Sequence, residues 1–320
     1  MKIFLAPMEG VVDHHMRALL TGTGGFHQCV TEFIRVVDKT LPVCVFERIC
    51  PELTNHSITE SGTPVTLQLL GGLPEAMAAN AVRAIELGAH SIDINFGCPS
   101  RFVNRKAGGS ILLKEPERLY KVTRAVRQAV PNNITVSAKI RLGYDSTDLA
   151  LENANAVESA GASFITVHAR TKVDGYKHPA RWEWLGVINE ALSIPMVANG
   201  DINSVEDFLR CREISGCDQI MLGRGAIAQP DLAKQILATT KGNNINEMQW
   251  CDIKKLVIEI IARMKNEHTH QRRILGRVKQ WLVYLKAVYP QAEQLFTQLR
   301  QTKHLSEAEA LLHTPVDNAA

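Results

Sequence analysis

The 320-residue sequence contains no apolar run near the ~18 residues a membrane helix needs. Its opening stretch, Met1-Lys2-Ile3-Phe4-Leu5-Ala6-Pro7, is apolar for too few residues to act as a secretory signal, and Glu9 and Asp13 follow soon after. The cysteines at 29, 44, 50, 98, 211, 217 and 251 are odd in number and form no CxxC pair or Cys–His grouping. A disulfide framework and a zinc site of the usual spacing are both unexpected. No low-complexity segment is present. A net charge of +3 is too mild to specify a partner by itself. These absences predict a cytoplasmic, monomeric chain with reduced thiols, no metal and no membrane contact.

What is present is alternation. Short runs rich in β-branched or apolar residues lie at 2–6, 28–31, 65–70, 91–95, 134–140, 164–168, 195–198 and 219–222. Several are almost continuously apolar, as strands covered on both faces require. Helical periodicity fills most gaps, at 74–87, 116–130, 150–160 and 204–214, with Gly88, Gly161 and Gly216 placed as helix stops. Eight such alternations over about 240 residues predict an α/β fold, a (β/α)8 TIM barrel, rather than a doubly wound open sheet. The segment 33–61 reads as an elaborated loop over the mouth. After Gly242-Asn243-Asn244 the strand signals stop, and 251–265, 275–289 and 292–302 read as amphipathic helices. The organisation expected is a barrel over 1–242 and a small all-α unit over 243–320 with a frayed tail at 314–320.

Barrel chemistry gathers at the C-terminal ends of strands. The turns Asn199-Gly200-Asp201 and Gly223-Arg224-Gly225 follow the seventh and eighth runs, where barrels commonly bind phosphate through backbone N–H groups. The string Gly223-Arg224-Gly225-Ala226-Ile227-Ala228 fits a loose dinucleotide fingerprint, but it follows the last strand, so that reading is rejected. Lys139 and Arg141 alternate on one strand and point the same way. They satisfy either a structural ion pair or an anion in the mouth. Cys98, between Gly97 and Pro99 after the fourth run, sits where its backbone is held and its thiol can face a cavity. An ordinary thiol of pKa ~8.5 is protonated at neutral pH and can serve as a general acid. Neighbouring cations would lower that value, so their distance decides the matter.

Together, Ala6-Pro7-Met8-Glu9-Gly10, Asp93-Ile94-Asn95-Phe96-Gly97-Cys98-Pro99-Ser100, Lys139-Ile140-Arg141-Leu142-Gly143, His168-Ala169-Arg170-Thr171-Lys172 and the two glycine turns resemble the tRNA-dihydrouridine synthase family over nearly the whole chain. Thr31–Arg35, 48–53 and 277–282 resemble its bacterial C subgroup, which acts on uridine 16 of the tRNA D-loop. Ala169 stands where glycine is common. The resemblance implies an FMN-dependent oxidoreductase that NADPH reduces, the nicotinamide using the same mouth transiently. It implies that Pro7, Met8, Glu9, Gln68, Lys139, His168, Asn199, Gly200, Asp201, Gly223 and Arg224 bind FMN. It implies that Cys98 protonates uracil C5 as hydride reaches C6. Arg35, Asn95, Arg141, Tyr176, Arg277, Lys279 and Tyr284 would hold the tRNA.

The helical unit supports an RNA partner on charge alone. Between 263 and 286 lie seven basic residues, Arg263, Lys265, Arg272, Arg273, Arg277, Lys279 and Lys286, against the single acid Glu267. Such clustering is the footprint of a nucleic-acid surface, and equally of a solvated helix face. Arg273, Arg277 and Tyr284 recur at helical spacing; Lys279 does not share their face. Two other functions stay open at this point. An FMN barrel acting on a free pyrimidine leaves the basic helices unused, and a non-catalytic tRNA-binding protein leaves Cys98 and Lys139 unused.

Overall fold

Strands β1 (Lys2–Leu5), β2 (Gln28–Arg35), β3 (Val65–Leu70), β4 (Ser91–Asn95), β5 (Thr135–Arg141), β6 (Phe164–His168), β7 (Met196–Asn199) and β8 (Gln219–Leu222) pair in parallel in chain order. Strand β8 returns to β1 and closes the barrel. The structure is a computed structural model and describes residues 1–100, 108–177 and 179–313; the expected frayed tail lies outside the described residues. All eight sequence runs form strands, and β3, β4 and β7 are buried at every position. That burial follows from helices outside and a filled lumen inside.

The lumen is unevenly furnished. Phe4, Ala6, Val30, Val197 and Met221 pack into one apolar cluster with Phe164 against it. The opposite wall is polar, with Thr66 and Ser91 hydroxyls 2.8 Å apart, and Gln68, Asp93 and Ser137 above them. Register sets the mouth. Asn95 pairs with Lys139, Arg141 with His168, and His168 with Asn199, so four neighbouring strands end at one level.

The wrapping helices include α1 (His14–Gly22), α2 (Val43–Ile49), α3 (Pro74–Glu86), α4 (Pro116–Ala129), α5 (Ala150–Ser159), α6 (Trp182–Ala191), α7 (Val205–Ser215), a short α8 (Arg224–Ala228) and α9 (Leu232–Thr240). Helix α7 shows why its sequence folds locally. The Ser204 hydroxyl accepts from the Asp207 N–H at its start, and Gly216 takes the left-handed conformation at its end.

Strand β2 departs from expectation. It runs four residues beyond the 28–31 read from the sequence, and its register against β3 shifts between Val30 and Phe33. One extra residue there is a bulge, which interrupts the alternation that marks a strand. The segment read as loop from 33 therefore begins as strand and continues through α2 and the 3-10 turn Pro51–Asn55.

Four helices follow, α10 (Trp250–Asn266), α11 (Gln271–Leu285), α12 (Pro290–Leu299) and α13 (Leu305–His313). Helix α11 starts four residues earlier than read, because the His270 imidazole accepts from the Arg272 N–H and caps it. Helix α13 carried no clear sequence signal. Trp281 is buried and donates its indole N–H to Ile227 O at 3.0 Å, joining α11 to α8. Among the described residues no helix is long and apolar enough to cross a membrane, and all seven cysteines are free.

Candidate active site

The strand ends surround a cavity of about 560 Å³, within the ~300–1,000 Å³ usual for small-molecule sites. Its charged lining consists of Lys139, Arg141, Arg170 and Arg224 against Glu9 and Asp201. Asp201 is already engaged by Arg170 and by Arg224, the latter at 3.1 Å. The cavity therefore favours an anion.

Beneath Cys98 lies a directional hydrogen-bond chain. Asp93 is buried and accepts from Ser137 Oγ at 2.6 Å and from Gln68 Nε2 at 2.7 Å. Burial pushes the Asp93 pKa up while these two bonds and Lys139 pull it down; with its oxygen accepting, Gln68 turns its amide nitrogen inward and its oxygen outward. Gln68 Oε1 then accepts from Asn95 Nδ2 at 2.8 Å. Asn95 Oδ1 accepts from the N–H groups of Gly97 and Cys98, both at 2.9 Å. Arg141 fixes the same loop by donating Nε to Gly97 O at 2.8 Å, and its Nη1 reaches Thr171 O and Gly175 O, each at 3.2 Å.

The Cys98 side chain is 9% exposed and opens on the cavity. Burial pushes its pKa up, and Glu9 adds to that. The Ser100 N–H, Arg141 and Arg35 pull the other way but do not prevail. The thiol thus holds its proton at neutral pH. Burial likewise pushes Lys139 down to about 7, with Arg141 adding to the fall and Asp93 opposing it. Its ammonium has no carboxylate partner among the described residues and donates to Asn199 Oδ1 at 2.9 Å. Among the described residues neither Lys139 nor Arg141 forms a structural ion pair.

The far wall is built by the two glycine turns. Asn199 Nδ2 donates to Met221 O at 2.8 Å and ties β7 to β8. Gly200 has φ +124, a conformation that L side chains rarely adopt, and its carbonyl accepts from the Trp182 indole at 2.9 Å. A Cβ at Gly225 would collide with the carbonyl of Ile202, so the turns can approach only with glycine. The first turn of α8 leaves backbone N–H groups without intrahelical acceptors beside Arg224. His168 is held well below its usual pKa by burial first and then by Arg141, Lys139, Arg170 and Arg224. It is a neutral imidazole able to donate one N–H.

The Dihydrouridine synthase (Dus) family model matches residues 4–320. The chain belongs to the dihydrouridine synthase family. It is 49% identical over 312 residues to a tRNA-dihydrouridine(16) synthase of Pseudomonas syringae pv. tomato, covering 98% of each chain. It is 48% identical to one of Pseudomonas putida, covering 98% of this chain and 96% of that one. It is 46% identical over 301 residues to one of Haemophilus influenzae, covering 94% and 95%. A solved 2-naphthoyl-CoA reductase complex aligns with TM-score 0.56 at 14% identity, over 76% of this chain and 50% of that one; this likeness is one of fold alone.

In this dihydrouridine synthase the cavity unites most residues singled out in the sequence: Pro7, Met8, Glu9, Asn95, Cys98, Lys139, Arg141, His168, Tyr176, Asn199, Gly200, Asp201, Gly223, Arg224 and Tyr284. Tyr176 is exposed at the rim, its ring centroid 5.5 Å from the Arg141 guanidinium and 5.1 Å from that of Arg224. Tyr284 is the contribution of α11 to the wall.

Four expected residues are not in that lining. Gln68 lies fully buried behind Asn95. Arg35, at the end of β2, is felt electrostatically at Cys98 without lining the cavity. Arg277 turns toward the barrel, pairing with Asp13 and donating to Val11 O at 2.9 Å. Lys279 donates to Thr302 O at 2.8 Å and to Arg300 O at 3.3 Å, beyond the end of α12.

Arg170 and Phe33, present in the family motifs but given no site role from sequence, also line the cavity. Arg170 is fully buried, donates to Lys177 O at 2.6 Å and meets Asp201. A charged residue two positions beyond His168 was the available signal. Phe33 lines the cavity because of the β2 bulge.

Proposed function

We propose that this dihydrouridine synthase reduces uridine to 5,6-dihydrouridine at position 16 of the tRNA D-loop, using FMN reduced by NADPH. The observation that carries the reading is Cys98, a proton-holding thiol that shares one cavity with a cation-rich, glycine-built anion cradle. The tRNA-dihydrouridine(16) synthase relatives, matched along nearly their whole length, support the substrate and position.

The donor set fits FMN. Gly200, Asp201, Gly223, Arg224 and neutral His168 suit a phosphate, which needs N–H donors and positive charge. Pro7, Met8 and Glu9 offer a wall for a flat ring, and Lys139, the cation below them, suits a ring edge that gains negative charge. Gln68 retains one amide hydrogen beyond its bond to Asp93. When bound, FMN supplies the hydride for uracil C6.

The residues of the chain do the rest. Asn95 and Arg141 hold the loop that carries Cys98. The thiol delivers its proton to C5, and nearby positive charge steadies the enolate that develops at O4. Tyr176 and Tyr284 offer rim surfaces to the extruded base, whose unstacking costs a few kcal/mol. Residues 1–242 form the catalytic unit. Residues 243–320 hold the tRNA, with Arg277 and Lys279 fixing the helices that meet it and Arg35 adding charge beside the Cys98 loop.

Mapping dihydrouridine by position in tRNA from a deletion strain tests the reading. Loss confined to position 16 is the expected result. Unchanged dihydrouridine at every D-loop position, in a strain with no overlapping synthase, overturns it.

A further inference from the structure

Outside the cavity, one group of side chains converges across the seam between barrel and C-terminal helices. His14 and His15 are the first two residues after the Asp13 cap of α1, and Glu267 caps the end of α10. His14 Nε2 lies 3.0 and 3.1 Å from the two Glu267 oxygens, and His15 Nε2 lies 3.3 Å from one of them. Each residue offers a ligand atom, all within 4.8 Å of one another. No sequence motif announces the group, since two adjacent histidines and a glutamate 252 positions further on match no metal-site spacing.

From this geometry we propose that His14, His15 and Glu267 form a three-ligand site for a zinc-class divalent transition-metal ion. Two imidazoles and one carboxylate are a known zinc ligand set, with a fourth position left for water. Zinc–ligand bonds of about 2.0–2.2 Å place neighbouring tetrahedral ligand atoms about 3.3–3.6 Å apart. The His15–Glu267 separation already meets that edge, His14 lies about 0.3 Å inside it, and the third separation, within 4.8 Å, closes as the rings turn toward an ion.

The surroundings favour an ion. His15 is buried at the seam with its Nε2 against the Glu267 carboxylate. Arg277, a cation felt by His15, is paired with Asp13, whose other oxygen caps α1 at 3.0 Å from the Met16 N–H. Among the described residues, the only ion-pair partners of Glu267 are the two imidazoles. The site would fasten α10 to α1 and so fix the helices against the barrel.

The test uses the full-length protein as purified, dialysed against chelator and titrated with Zn²⁺ by calorimetry. One equivalent binds, the Tm rises with added zinc, and Glu267→Gln and His14→Gln each weaken binding about tenfold or more. Absence of stoichiometric binding overturns the site, as does affinity unchanged in both variants, which marks an adventitious ion only. X-ray absorption on the zinc-loaded wild type reads the ligands without a variant. A nitrogen and oxygen shell at about 2.0–2.2 Å supports the site, and a sulfur shell from the free cysteines overturns it.

Discussion

Lys139 and Arg141 sit on a barrel strand and bond amide and carbonyl oxygens, whereas Arg263, Lys265, Arg277 and Lys286 on the C-terminal helices each meet a carboxylate. Both groups count equally in a net charge, yet they do different work. Among the described residues the strand cations touch no carboxylate, and they lie inside a mouth where water is scarce and charge acts strongly. Much of the helical charge is spent on the fold itself. Arg263 binds Glu60 and Glu259, Arg277 binds Asp13, and Lys279 bonds the carbonyls of Arg300 and Thr302. Of the seven cations between 263 and 286, Arg272 and Arg273 are exposed and have no carboxylate partner among the described residues. Charge clustering in sequence therefore overstates the charge left exposed on the helices and understates the field inside the barrel mouth.

The sharpest way to break this contrast is at the thiol. Cys98→Ala should retain FMN and NADPH oxidation while lowering dihydrouridine formation by about 10²–10⁴-fold. Full activity would remove Cys98 from the acid role.

Next comes Asn95→Asp, which keeps an acceptor for the amides of Gly97 and Cys98 but sets a second carboxylate against the outward oxygen of Gln68. Turnover should fall by about 10–100-fold, since a buried polar mismatch costs about 1–3 kcal/mol. An unchanged rate would show that the Asp93–Gln68–Asn95 chain does not position the loop.

Lys139 gives the third effect, through pH. Its pKa in the folded protein, lowered from 10.5 to about 7, means the native state binds fewer protons than the unfolded chain between those values. Stability tied to this group therefore rises with pH across that window. Ligand binding has the opposite sign, because an anion needs the ammonium. FMN affinity should weaken above about pH 7, by at most tenfold per pH unit for one linked proton. Lys139→Met should flatten that slope, measured by fluorescence titration; an identical slope in the variant would clear Lys139 of the effect.

The smallest effect separates spent from available helical charge. Arg277→Ala should cost about 1–3 kcal/mol of stability, read as a lower Tm, because Asp13 loses its partner at a half-buried seam. Arg272→Ala and Arg273→Ala should leave Tm unchanged, and each should reduce the salt slope of tRNA binding by about one unit or less. The reverse pattern would mean that Arg277 is the RNA contact and that Arg272 and Arg273 are bystanders.

The barrel was legible because short β-branched and apolar runs alternate with helical stretches that stop at glycine, and β3, β4 and β7 are buried at every position even where β3 and β4 carry polar residues. Strand β2 was read four residues short because its bulge breaks the period on which strand recognition depends. The start of α11 was missed because a histidine cap carries no Ser, Thr, Asp or Asn signal. At the site, Cys98, Lys139 and the glycine turns announced themselves by position at strand ends. Gln68 was visible as a polar residue in a strand, but its burial behind Asn95 depends on which way a neighbouring amide points. The seam contacts of Arg277 and Lys279 were invisible, since nothing local in a helix says which distant carbonyl its cations will reach.

The chain of amides rising from Asp93 ends on the main-chain N–H groups of Gly97 and Cys98, and not on sulfur. Structural support thus reaches the loop from below, and among the described residues this hydrogen-bond chain does not continue to the sulfur. Under the proposed function, a thiol that has given up its proton must be recharged through the open side of the cavity. That side is the one the bound RNA covers, so the product departs before the next proton arrives, and each catalytic cycle acquires a fixed order of exit and refill.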